Sequence, residues 1–221
     1  MKTIILSLAT AIAVAAPAKP PAYSTYTATV TATCEGAGCS GQESKGTQAF
    51  SANQNKSAWL PAKNGGAGIP TVADFNQKAV YFLTGPPAEP CGYYCPLASV
   101  DTICSSNAVL NAFCNYDYKN KIKFVDSADG VDHYHVNSGI GPLTLAQYDY
   151  YMDSKSEHPV KMQFLAQPFG KVIGNITTYY NTFDVADPEP SLFAVGDTKY
   201  CEKGDDSQCS DVNIARALRG F

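Results

Sequence analysis

Residues 147–165, QYDYYMDSKSEHPVKMQFL, read as a β-hairpin that turns one face to an apolar interior. Tyr148, Tyr150 and Met152 alternate with Gln147, Asp149, Tyr151 and Asp153. After the polar turn Asp153–His158, the return strand sets Val160, Met162 and Phe164 against Lys161 and Gln163. Successive side chains of a strand point to opposite faces, so a period of two sorts each set onto one side of a pleated sheet.

The same one-sided chemistry recurs around this hairpin. Residues 115–125 (NYDYKNKIKFV) read as a hairpin with Tyr116, Tyr118, Ile122 and Phe124 on its apolar face, 126–130 as a turn, and 131–136 (VDHYHV) as a further strand. In the strand 175–183 (NITTYYNTF), Ile176, Thr178 and Tyr180 should face inward and Asn175 and Thr177 outward. Residues 78–84 (KAVYFLT) form a buried strand stopped by Gly85-Pro86-Pro87, and 71–77 a short helix after Pro70. Residues 34–68 read as loop, pinned to the core by Trp59 and Leu60, and 91–114 as a disulfide-tied insertion. Asp187–Pro190 ends the sheet. A helix over 210–218 follows, with Ser210 as N-cap and Arg216 and Arg219 at its last turn. The expected fold is mainly β: consecutive antiparallel strands with short helices, one at the C-terminus. The apolar face of such an open sheet needs a cover, whether a helix, a loop, a partner or a ligand.

Residues 1–16 read as a signal peptide, with Lys2 before the apolar run Ile4–Ala16 and cleavage near Ala15 or Ala16, or at Ala18. Residues 17–33 are a Ser/Thr/Pro-rich leader; the alternation Tyr26–Val30 offers an edge strand as the alternative. Residues 34–221 are expected to form a single disulfide-stabilised β domain. No later stretch reaches the ~18 apolar residues of a membrane-spanning helix, so a secreted, extracellular protein is expected. The formal charge of −4 becomes −5 without Lys2. That acidic balance argues against nucleic acid as a partner, because phosphate binding needs a basic field. Asn55 and Asn175 head glycosylation sequons.

The eight cysteines, Cys34, Cys39, Cys91, Cys95, Cys104, Cys114, Cys201 and Cys209, are even in number and read as disulfides, since their spacings do not form paired zinc knuckles. Local pairs Cys34–Cys39 and Cys201–Cys209 are expected, with the middle four pairing among themselves.

Four segments together resemble the ependymin-related secreted proteins and, beyond them, the bacterial lipoprotein-carrier half-barrels: NYDYKNKIKFVD at 115–126, QYDYYMDSKSEHPVKMQF at 147–164, ITTYYNTFDV at 176–185 and DPEPSLFAVGDTKYC at 187–201. The order and spacing of the segments carry the likeness. Gly196 stands near where that family places proline, and Cys91, Cys95, Cys104 and Cys114 are additions to its pattern. The resemblance implies a strongly curved half-barrel whose concave side holds an apolar, lipid-like ligand. It also associates calcium with the family, without specifying ligating residues here.

Weighed as chemistry, His133 and His135 share a strand face that Asp129 could join as a metal ligand, whereas Asp132 points away and His158 lies across another turn. Asp149 and Asp153 could form a carboxylate pair, but alternation makes them solvent-facing. Acidic residues at 187–189 and 202–206 do not follow a calcium-loop pattern. No GxSxG motif occurs, and no enzymatic role or cofactor is expected, calcium being the one ion in question. Tyr148, Tyr150, Met152, Met162, Phe164, Ile176 and Tyr180 remain as a candidate ligand wall, since tyrosines bring hydroxyls to an apolar surface and methionines adapt to irregular ligands. The function expected is non-catalytic binding of a hydrophobic or lipid-like molecule. The alternative is a structural or adhesive glycoprotein that self-associates through its leader or an exposed strand edge.

Overall fold

The computed structural model describes residues 23–36, 43–86, 88–97, 122–140, 143–166 and 174–209. They form one twelve-stranded sheet that does not close. In chain order the strands are β1 (Thr25–Gly36), β2 (Glu43–Ser51), β3 (Lys56–Pro61), β4 (Thr71–Asp74), β5 (Ala79–Phe82) and β6 (Tyr93–Pro96). Then come β7 (Lys123–Ala128), β8 (Val131–Ile140), β9 (Leu143–Asp153), β10 (Pro159–Ala166), β11 (Gly174–Asp184) and β12 (Glu202–Lys203). The spatial order is β12-β6-β5-β4-β3-β2-β1-β11-β10-β9-β8-β7. Two antiparallel meanders, β1 to β6 and β7 to β11, are thus sewn together where β1 pairs β11. Among the described strands only β12 runs parallel to its neighbour, β6.

The hairpin 147–165 is found as expected, with β9 and β10 joined by the turn at 154–156. Asp153 makes that turn: its carboxylate accepts from the backbone N–H groups of Lys155 and Ser156. The β7–β8 turn is Asp129-Gly130, both at positive φ (53° and 77°), the backbone that Asp-Gly supplies in tight hairpins. The predicted turn at 126–130 therefore shrinks to two residues, because β7 runs on to Ala128.

Four expectations are corrected. First, residues 25–33 are neither leader nor edge strand. Thr25–Gly36 is an interior strand, hydrogen-bonded to β2 and β11, with Tyr26, Ala28, Val30 and Ala32 buried. Its small polar residues do not prevent burial, because they occupy only one face. Second, residues 34–68 are largely strand, and 71–77 is strand β4 followed by a turn. Tertiary pairing overrides the weak local pattern. Third, Val160 does not join Met162 and Phe164. An irregularity between Pro159 and Lys161 leaves it 38% exposed. Fourth, the cysteines pair over long range: Cys91–Cys201 and Cys95–Cys209 replace Cys201–Cys209 and the grouping of the middle four. The physical reason is β12, which lays 202–203 against Tyr93 and Tyr94 and so brings each of the flanking cysteines to one of the cysteines around β6. Cys34 is disulfide-bonded. Cys39, Cys104, Cys114 and the helix expected at 210–218 lie outside the described residues, as do the signal segment 1–16 and Tyr116 and Tyr118.

Both faces of β4 and β5 are buried. The outer face of β2 to β4 is covered by the return segment after β11. Phe193, in a short 3-10 turn (Pro190–Phe193), packs with Leu192 and Val195 on Ala49, Ala58 and Val72. Asp187 anchors the segment by accepting from Ser51 Oγ at 2.6 Å and Asn53 Nδ2 at 3.3 Å. Ser51 foremost, then Asn53, holds its carboxyl below the usual range.

Candidate ligand-binding face

Cross-strand register decides which side chains share the inner face. On β10, Met162 lies between Tyr150 of β9 and Thr178 of β11, and Phe164 lies between Tyr148 and Ile176. Tyr180 sits opposite Val30 of β1. Directly paired residues point to the same side of a sheet, so Tyr148, Tyr150, Met152, Met162, Phe164, Ile176 and Tyr180 are brought together on one face. Tyr148, Met152, Met162 and Ile176 are buried, and Tyr150, Phe164 and Tyr180 are half-buried. The Tyr148 and Phe164 rings lie 4.9 Å apart.

This face does not stop at β11. Through β1 it continues as Tyr26, Ala28 and Val30, then Phe50 on β2, Trp59 on β3, Ala73 on β4 and Val80 and Phe82 on β5. The N-terminal half therefore extends the apolar wall rather than covering it. Hydrophobic alternation on β1 was the available signal for this extension. On β2 the inward positions are Ser44, Gly46, Gln48 and Phe50, which show no apolar period.

Aromatic side chains gather where β1, β11 and the β9–β10 turn meet. Tyr23 donates from its hydroxyl to the Glu157 carbonyl at 2.6 Å, and its ring meets Phe183 at 4.8 Å and His158 at 6.2 Å. Tyr26 stacks on Phe183 at 5.1 Å. Phe183 faces inward because the register shifts between Thr29 and Val30, so that Tyr180 and Phe183, three residues apart, share a face. Burial pushes the hydroxyls of Tyr26 and Tyr180 well above their ordinary range, and for Tyr26 the neighbouring Tyr180 adds to the effect.

The outer face carries the polar chemistry. His133 Nε2 lies 2.7 Å from Asp149 Oδ1 and His135 Nδ1 2.9 Å from the same oxygen. Tyr151 stacks on His133 at 4.5 Å, and Lys161 Nζ stands 3.8 Å over the Tyr151 ring. The carboxylates that join the histidines are Asp149 and, at 3.6 Å from His133 Nδ1, Asp126. Asp129 does not; it is exposed in the β7–β8 turn. Asp132 points to the other side, as alternation requires, and is buried between Ser127 Oγ (2.5 Å) and Ser154 Oγ (2.9 Å). Among the described residues no three His, Cys, Asp or Glu side chains converge as a metal site. Asp149 and Asp153 serve separate structural roles, one bridging histidines and the other capping a turn. Of the acidic stretches, Asp187 binds Ser51, and Asp205 accepts from Ser207 Oγ at 2.6 Å and the Gln208 N–H at 2.9 Å.

Both sequon asparagines are on the outside. Asn55 is in the exposed β2–β3 turn, and Asn175 is half-buried on the outer side of β11, near Gln163. The two long-range bridges suit an oxidising extracellular or periplasmic setting. Among the described residues no helix is long and apolar enough to cross a membrane.

No protein-family model matches the chain, and no curated protein matches it in sequence. Among solved structures, the chain is similar at a TM-score of 0.36 to a LolA superfamily protein from Nitrosomonas europaea, with 9% identity over 79% of this chain and 92% of that one. A superposition at this level defines neither family nor function.

Proposed function

We propose that the protein binds a hydrophobic or lipid-like molecule against the inner face of its open sheet, without catalysis. One observation supports the reading: the inward face crosses both meanders, from Phe82 on β5 to Tyr134 on β8, and carries two clusters of buried apolar side chains, in a sheet that does not close among the described residues. Contact with such a wall is favourable by roughly 25 cal/mol per Å² of apolar surface. An alkyl chain burying about 300 Å² would therefore gain about 7.5 kcal/mol before the costs of association. Tyr148, Tyr150, Met152, Met162, Phe164, Ile176 and Tyr180 line the half of the wall assigned to the ligand. The protein is secreted and glycosylated at Asn55 and Asn175 in this reading, and its motifs at 115–201 resemble those of the ependymin-related proteins.

Native mass spectrometry of protein purified from its source, followed by organic extraction, tests the proposal. An apolar molecule should leave with the protein and appear in the extract in near-stoichiometric amount. An unadorned protein mass, together with failure to take up added alkyl amphiphiles, would overturn it.

A second reading, self-association through a strand edge, has its own observation. Every residue of β7 is exposed, with Val125 49% and Phe124 36% exposed on the last strand of the sheet. Residues 25–33 of the leader offer no free edge, because β1 already has a neighbour on each side, and residues 17–22 lie outside the described residues. Sedimentation across a hundredfold concentration range separates the readings: a strict monomer removes the edge.

A further inference from the structure

Three polar atoms stand out on the inner face. Gln48 Oε1, Ser57 Oγ and Trp59 Nε1 are buried and have no hydrogen-bond partner. Gln48 and Ser57 are each only 8% exposed and Trp59 is fully buried. An unsatisfied buried polar group is costly, so three in one place demand an explanation.

They are one cluster. Gln48 on β2 is directly opposite Trp59 on β3, and Ser57 is two residues along the same face of β3. Their neighbours on that face are small or apolar: Ala28 opposite Gln48, Phe50 opposite Ser57, and Ala73 on the far side of Ser57. Gly46 holds the indole in place. A Cβ at that position would stand 2.5 Å from Trp59 Cη2 and 2.7 Å from Cζ2, so only glycine lets the ring lie against β2.

We infer that Gln48, Ser57 and Trp59 are the polar anchor of the ligand site and take the uncharged, hydrogen-bonding head of an amphiphile. This deepens the proposed function and rests on it. The indole N–H can only donate, the glutamine oxygen can only accept, and the serine hydroxyl does either. A hydroxyl group answers all three at once. A carboxylate or phosphate does not suit the site, because a buried anion requires a compensating charge. Among the described strands, the lysines point away from this face. Lys56 is turned to the outer side and bound to Asp74 at 3.2 Å, and Lys45, also on the outer side, pairs with Glu43. The ligand class is therefore a long-chain alcohol or a hydroxylated neutral lipid, its alkyl part running along the wall.

Calorimetric titration of the full chain tests this, with dodecanol, dodecanoate at about pH 8 (where the acid is ionised), and bromododecane as a headless probe. Trp59, the chain's one tryptophan, reports occupancy of the anchor through its emission. Dodecanol should bind about tenfold more tightly than either other probe, the factor given by one hydrogen bond of ~1.4 kcal/mol. Gln48→Leu and Ser57→Ala should bring dodecanol down to the level of bromododecane, leave bromododecane within about twofold, and raise the melting temperature of the empty protein. Equal binding of dodecanol and dodecanoate overturns the anchor, as does dodecanol binding that both variants leave unchanged. If no probe binds at all, the proposed function itself falls and takes the anchor with it. Headless binding alone removes only the anchor.

Discussion

The two disulfides should not act independently, and the topology sets the size of their coupling. Cys91–Cys201 spans 110 residues and Cys95–Cys209 spans 114. In the chain-entropy account a cross-link closing a loop of ~100 residues restricts the unfolded chain by about 4.7 kcal/mol. Once one bridge exists, the other closes a much smaller ring, built from 91–95, 201–209 and the two cystines. That ring has roughly 14 residues and is worth about 3 kcal/mol. Removing either bridge alone should therefore cost about 3 kcal/mol, whereas removing both should cost between about 7 and 8 kcal/mol, half or more of a typical domain's stability. The assay is urea unfolding of Cys91→Ala/Cys201→Ala, of Cys95→Ala/Cys209→Ala and of the quadruple variant, treated as a double-mutant cycle. Cavity costs from each pair of substitutions cancel in the coupling term. The second removal must cost more than the first by about 1.7 kcal/mol. Strict additivity would refute the reasoning, since it would mean that the two bridges do not constrain the same loop.

Further outcomes follow from particular contacts. Gly46→Ala should destabilise by about 1–3 kcal/mol through overpacking, with a shift in Trp59 emission, because the new Cβ meets the indole; an unchanged spectrum and urea midpoint would contradict the packing. Asp149→Ala should cost about 1–2 kcal/mol by removing the shared acceptor of His133 and His135, whereas Asp126→Ala, exposed and more distant, should change the urea midpoint far less. Stability should fall in acid. Asp153, held down chiefly by the Ser156 N–H, Asp187 by Ser51 and Asp205 by Ser207 all lie below 3.8 in the folded chain. Depressed carboxyls contribute stability that is present above the unfolded value and is lost as pH drops through the folded one. The urea midpoint should thus hold steady down to about pH 5 and decline below about pH 4. At the alkaline end, Tyr26 and Tyr180 are raised by burial, so their contribution is complete below about pH 10 and is lost above it; absorbance titration should show these two ionising only as the protein unfolds.

Much of the C-terminal half was legible because its inward residues are large and its outward ones polar. Tyr148, Tyr150 and Met152 against Asp149 and Asp153 leave one consistent assignment of faces. The N-terminal half was not, for two physical reasons. On β4 and β5 both faces are buried, so Val72 and Ala73, or Val80 and Tyr81, are adjacent and apolar and show no alternation. On β2 the inward residues include Ser44, Gly46 and Gln48, two of them chosen by contacts that sequence does not display: Gly46 by the indole above it and Ser44 by the carbonyl of Ala67. Bulges account for the local errors. Val160 lost its inward position to one irregularity, and Phe183 gained its position from another. Cysteine pairing depends on where β12 docks, which only the complete sheet defines.

The seam between β1 and β11 explains why one face is continuous. Each meander could form from contacts between near neighbours in sequence, but the seam joins residues such as Gly36 and Gly174, or Thr27 and Asp184, across most of the chain. Long-range pairing of this kind is entropically costly and slow to form. It also has to match parity, for a slip of one residue would turn Val30 away from Tyr180 and split the wall in two. The register shift between Thr29 and Val30 lets the strand keep that match at both ends, with Cys34 opposite Ile176 above it and Ala28 opposite Phe183 below. A chain needing only a stable sheet could keep two separate apolar patches, each under its own loop. Because the seam keeps its parity, the inward face stays apolar where the two meanders meet, and its unpartnered polar atoms fall on the next two strands, β2 and β3.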